Sequence, residues 1–130
     1  MKALLRHSAV RILGALGALA IAALIVWLSV IPAAETPAPQ WPDKLKHFIA
    51  YAALTAPLAV ALGPGLNRLC AALVLTGLYG AGLEVVQMVG DAGREGSLLD
   101  IAANLSGALA GLIVVAILRG DRPLFRGDNF

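Results

Sequence analysis

Four stretches of the chain, residues 12–31, 48–62, 69–89 and 98–118, are built almost wholly of apolar and small residues. A helix needs about 20 such residues to cross the ~30 Å hydrocarbon core of a bilayer. Three of the stretches meet that length unaided. The second has only 15 residues before Gly63-Pro64-Gly65 stops it, so at about 1.5 Å per residue it must recruit its upstream neighbours to cross. That extends it to 43–62 and draws Asp43, Lys44 and His47 onto the helix. A backbone in hydrocarbon has to satisfy every N–H and C=O internally, and none of the stretches alternates as a barrel strand does. The expected fold class is therefore an all-α membrane protein. It is one domain over residues 1–130, an antiparallel bundle of four transmembrane helices at about 12–31, 43–62, 69–89 and 98–118.

Composition agrees. Hydrophobic residues make up 59% and charged ones 14% of the chain, against about 45–50% and 25% in soluble domains, which excludes soluble enzyme folds. The one cysteine, Cys70, lies inside an apolar run and allows neither an intrachain disulfide nor a Cys-pair metal site. The net charge of +2 does not point to nucleic acid, because the basic residues sit beside apolar spans and form no stripe interleaved with aromatics.

Residues 32–42 hold four of the seven prolines and read as an extended, polyproline-like linker. The other connections, 63–68 and 90–97, are short and contain glycine, so the last three helices should be antiparallel neighbours. Pro57 is expected to kink the second helix. The first apolar run is longer than the ~7–15 residues of a signal-peptide core and is expected to stay attached as a helix. With the N-terminus in the cytoplasm, seven Lys and Arg (Lys2, Arg6, Arg11, Arg68, Arg119, Arg122, Arg126) lie inside and three (Lys44, Lys46, Arg94) outside. The positive-inside rule favours that arrangement, with both termini cytoplasmic.

On this topology the acidic residues gather at the outer face: Glu35, Asp43, Glu84, Asp91, Glu95 and Asp100, with only Asp121 and Asp128 inside. A carboxylate within a span costs about 2.5–3.5 kcal/mol at mid-helix on insertion scales, so it is expected to face the bundle interior and to mark function. Helical spacing sorts the polar residues onto single faces. The third helix carries Gly77, Gly80, Glu84 and Gln87, the fourth Asp100, Asn104, Gly107 and Gly111, and the second Asp43, His47 and Tyr51. Gly107 and Gly111 form a G-x-x-x-G contact suited to close backbone approach. Glu84 and Asn104 both lie about 8–9 Å below the outer helix ends, deep enough to meet.

Each residue also has a structural explanation. Ser97 and Asp100 fit a capping box, and Asp43 suits the dipole of a helix N-terminus. His47 near Trp41, and Tyr51, suit the membrane interface. Lys44, Lys46 and Arg94 suit head groups or water, and Glu84 could simply hydrogen-bond Gln87 or Asn104 to hold helices together. What exceeds these explanations is the convergence of the set at one end.

Asp43-Lys44-x-x-His47-x-x-x-Tyr51, Glu84-x-x-Gln87 and Arg94-x-x-Ser97-x-x-Asp100-x-x-x-Asn104-x-x-Gly107-x-x-x-Gly111 together resemble the VanZ-like family of bacterial integral membrane proteins. The resemblance covers about residues 41–118. It implies a protein of the bacterial cytoplasmic membrane, in a family whose founding member is associated with low-level resistance to the glycopeptide teicoplanin; nothing in this chain points to that resistance specifically. It implies no particular reaction.

Chemically, the set suits an anionic lipid head group or a lipid-linked envelope precursor at the extracytoplasmic face. The candidate catalytic residues are His47, Glu84, Asp100 and Asp43, with His47 as acid or base and Asp43 or Glu84 orienting it. The candidate substrate-binding residues are Arg94, whose planar fork suits phosphate or carboxylate, with Gln87, Asn104, Lys44, Tyr51 and Ser97. Asp43, His47, Glu84 and Asp100 could instead hold a hard divalent cation, although no H-x-x-x-H or D-x-D spacing marks a metal site. Two other functions stay open. One is a noncatalytic scaffold whose polar cluster joins helices, and the other is a small transporter subunit. Carriers place their ionisable groups near the midplane, whereas here these groups are shallow.

Overall fold

The computed structural model describes residues 7–90 and 96–120. Four helices account for nearly all of them: α1 (Ser8–Val30), α2 (Asp43–Leu62), α3 (Leu66–Val89) and α4 (Leu98–Arg119). Each is long and apolar enough to cross a membrane, and the fold is an all-α four-helix bundle of a multi-pass membrane protein. Helix α2 has the expected bounds, whereas α1 and α3 each begin a few residues earlier than their apolar runs. Helix α2 also runs through Pro57 as one element.

Packing is centred on α2, which lies against all three other helices, most extensively α4 and then α1. Small residues set these approaches. A Cβ on Gly107 would strike the carbonyl of Phe48, and one on Gly111 would lie 2.6 Å from the carbonyl oxygen of Ala52. The G-x-x-x-G face of α4 therefore rests directly on the α2 backbone, where any side chain would force the helices apart. Gly14 of α1 meets α2 in the same way, beside the Pro57 carbonyl at 2.8 Å.

The core holds two apolar clusters, one around Ala59, Leu69, Ala72, Leu112 and Val115 and one around Ala18, Ile25, Tyr51 and Leu54, and buries polar side chains among them, while the exterior is apolar. The largest fully buried side chains are Glu84, Asn104, Thr55 and Thr76, and the two threonine hydroxyls hydrogen-bond across α2 and α3 at 3.2 Å. Leu13, Leu19, Leu78, Leu98 and Ile117, by contrast, are more than 60% exposed. Such a surface is unfavourable in water and natural against lipid tails, where polar groups are the ones that need shelter.

At one end of the bundle α2 stops at Gly63, and Gly63 and Gly65 take φ of +93° and +123°, values open to glycine at little cost. The last carbonyls of a helix have no partner within it and carry the negative end of its dipole. Three arginines from three segments converge on them. Arg11 Nε donates to Ala61 O at 2.8 Å, Arg68 Nη1 to Leu62 O at 2.7 Å, and the buried Arg119 donates through Nη2 to Ala59 O at 2.7 Å.

At the other end, the proline-rich segment departs from the extended linker expected of it. Residues Ala33–Glu35 form a 3-10 turn, and Thr36 is buried. Its hydroxyl donates to Ala33 O at 2.7 Å and accepts from Lys46 Nζ at 3.3 Å. Prolines restrict φ without preventing a single turn, and the lysine on α2 ties that turn to the bundle.

Candidate functional site

The polar cluster forms where α2, α3 and α4 meet at this second end. His47 leaves α2 between the other two helices, with Nδ1 2.8 Å from Asn104 Oδ1 and 3.3 Å from Glu84 Oε1. With an acceptor oxygen on each neighbour, the tautomer protonated at Nδ1 would donate to both. Glu84 is 1% exposed and Asn104 1%, burial that requires polar partners. One face of His47 stacks on Tyr51, with ring centroids 6.5 Å apart and planes 11° from parallel. Tyr51 in turn packs against Gly80, where a Cβ would lie 2.8 Å from its ring. The glycine face of α3 thus makes room for the aromatic ring that positions the histidine.

Helix α4 joins through its N-terminus. Ser97 caps it, its hydroxyl accepting from Asp100 N at 3.1 Å. In a full capping box the residue at position 100 would bond back to the Ser97 N–H. Here that N–H donates instead to Glu84 Oε2 of α3 at 3.2 Å. The cap therefore ties two helices together and leaves the Asp100 carboxylate for other contacts. Its Oδ1 is buried and accepts no hydrogen bond among the described residues. Lys44 Nζ lies 3.9 Å from it, on a side chain 56% exposed, a pairing that solvent screens.

Of the residues expected to form a site, the structure brings together His47, Glu84, Asp100, Asn104, Ser97 and Tyr51, with Lys44 at the edge. Gln87 is buried, and its Nε2 donates to Ser29 O of α1 at 3.4 Å. Asp43 does not join them. It lies in the first turn of α2, half exposed, 3.7 Å from Lys46, where a carboxylate favours the helix dipole and its own neighbour. The group orienting His47 is Glu84 together with Asn104, not Asp43. Arg94 lies outside the described residues.

Sequence spacing missed the contribution of α1 and the proline-rich segment. Together with α2 and α3 they line a half-open cavity of about 460 Å³, within the ~300–1,000 Å³ usual for ligand sites. Its walls include Ile21, Leu24, Ile25 and Leu28 of α1, Pro37, Ala38 and Trp41, and Ile49, Ala50 and Ala53 of α2; Lys46, His47, Glu84 and Gln87 supply polar groups. Trp41, an interfacial aromatic, and Thr36, a hydroxyl set among prolines, are the traces of this wall in the sequence.

Chemically, this is a proton-donating imidazole held by a buried carboxylate and an amide, at the edge of an apolar chamber. Compared with protein-family models, curated proteins and solved structures, the chain matches none.

Proposed function

We propose that this chain is a multi-pass protein of the bacterial cytoplasmic membrane, of the VanZ-like kind, that binds an anionic amphiphile at the extracytoplasmic leaflet. A lipid-linked or other cell-envelope precursor is the substrate class. The observation that carries the proposal is the cavity. Its α2 wall runs from Lys46 to Ala53, about 10 Å of helix at 1.5 Å per residue, passing from ammonium and imidazole to bare apolar surface. A molecule suited to it has a charged head and an apolar tail.

In this arrangement Lys46 and Gln87 hold the head by charge and hydrogen bonding, and Arg94, outside the described residues, is the further cation that the sequence offers. His47 exchanges a proton with the head, and Glu84 stabilises the imidazolium when it forms. Orientation rests on the excess of Lys and Arg at the arginine-capped end, which faces the cytoplasm.

The test compares lipids and cell-wall precursors in cells carrying the intact gene, lacking it, or carrying Glu84→Gln at equal protein abundance. One anionic amphiphile should change in level or form when the gene is lost, and E84Q should match the deletion. Identical profiles in all three strains would remove the proposal.

A further inference from the structure

We infer that His47, Glu84 and Asp100 form a binding site for a divalent transition-metal ion, of the Mn²⁺ or Zn²⁺ class, with Asn104 Oδ1 as a fourth oxygen donor. Each of the three offers a ligand atom within 4.8 Å of the other two. The inner spacings are closer still. From His47 Nδ1, Asn104 Oδ1 is 2.8 Å away and Glu84 Oε1 3.3 Å. Two donors at right angles on an ion with bonds of about 2.1 Å lie about 3.0 Å apart, and opposite donors about 4.2 Å apart. His47 Nδ1, Asn104 Oδ1 and Glu84 Oε1 thus already stand near the spacing of adjacent donors, and Asp100, within 4.8 Å, needs only a small side-chain shift to complete the shell around an ion bound to Nδ1.

A second observation points the same way. Asp100 Oδ1 is a buried carboxylate oxygen with no hydrogen-bond donor among the described residues, on a side chain only 8% exposed. Its one ion-pair partner among the described residues, Lys44, stands 3.9 Å away on a side chain 56% exposed, a distance too long for a hydrogen bond. Asn104 places its Oδ1 2.8 Å from His47 Nδ1, within reach of the same ion.

One nitrogen and three oxygens form a mixed set suited to Mn²⁺ or Zn²⁺, and the absence of a nearby thiolate makes the softer ions poor fits. Cys70 is exposed, near the start of α3 at the opposite end. His47 and Glu84 also line the cavity, so the ion would add an anion-binding position beside it. This inference stands apart from the amphiphile proposal, since an ion can bind in a chain whose cavity takes no lipid.

The test uses the full chain in lipid nanodiscs, stripped with chelator, dialysed and titrated with Mn²⁺ and with Zn²⁺. One ion should bind per chain. Asp100→Asn and His47→Gln should each weaken binding at least about tenfold, while Asp43→Asn and His7→Gln keep it. Pulsed electron paramagnetic resonance of the Mn²⁺-loaded wild type should show one directly bound imidazole nitrogen, a readout independent of whether the variants fold. Wild-type protein that binds far less than one ion per chain, bound Mn²⁺ without nitrogen coupling, or Asp100→Asn binding as tightly as wild type would each overturn the inference.

Discussion

At the scale of single residues, the bundle spends its most protected volume on a carboxylate and an amide. Glu84 touches His47 on one side and the α4 cap on the other, so it is both a chemical partner and a structural joint. A double-mutant cycle separates these roles. Unfolding His47→Ala, Glu84→Gln and the double variant in bicelles should give a coupling of about 0.6 and at most about 1.7 kcal/mol, the range measured for hydrogen bonds between membrane helices. Asp43→Asn should change stability by no more than about 0.5 kcal/mol, because an exposed i,i+3 pair contributes little. Additive effects of His47 and Glu84, or a large loss at Asp43, would show that the contacts described do not carry the energy assigned to them.

Helices are the next scale, and here backbone approach decides stability. Gly107→Leu should destabilise by about 1–3 kcal/mol or more, because the new side chain meets Phe48 backbone that cannot yield without separating α4 from α2. Gly82→Ala is the control. Nothing lies within 4 Å of its added Cβ, so it should be neutral or gain up to about 1 kcal/mol from helix propensity. Thermal melts of the two variants in one detergent decide the matter, and equal shifts would contradict the packing. The number of helices, the bounds of α2 and the polar faces of α3 and α4 were legible in the chain because apolar length and 3.6-residue spacing are local properties. The partner of the Ser97 N–H was not, since a capping box and a link to Glu84 require the same serine. Nor were the roles of Arg11, Arg68 and Arg119, which count as topology signals in the sequence and prove to be caps on α2. The wall built by Thr36 and Pro37 was hidden for a similar reason. Proline content signals a break in a helix but not where the broken chain settles.

On the largest scale, the described bundle presents apolar surface outside, buries polar groups alongside two apolar clusters inside, and is divided between an arginine-capped end and an end holding the histidine cluster and its cavity. The proposed topology puts the cluster outside. In a Cys70→Ala background, Gln40→Cys should label with an impermeant maleimide added to intact spheroplasts, and Asn67→Cys only after lysis. The reverse pattern would place the cluster at the cytoplasmic face. The most direct test of the central claim, that the cavity and the cluster act together on one amphiphile, is native mass spectrometry of the protein released from membranes with its bound lipids. Wild type should carry one anionic amphiphile per chain. Ala53→Phe, which fills the apolar wall at an exposed position, and Lys46→Ala, which removes the ammonium assigned to the head, should each lose it while melting within a few degrees of wild type. Retention of the same lipids by all three proteins would contradict the account.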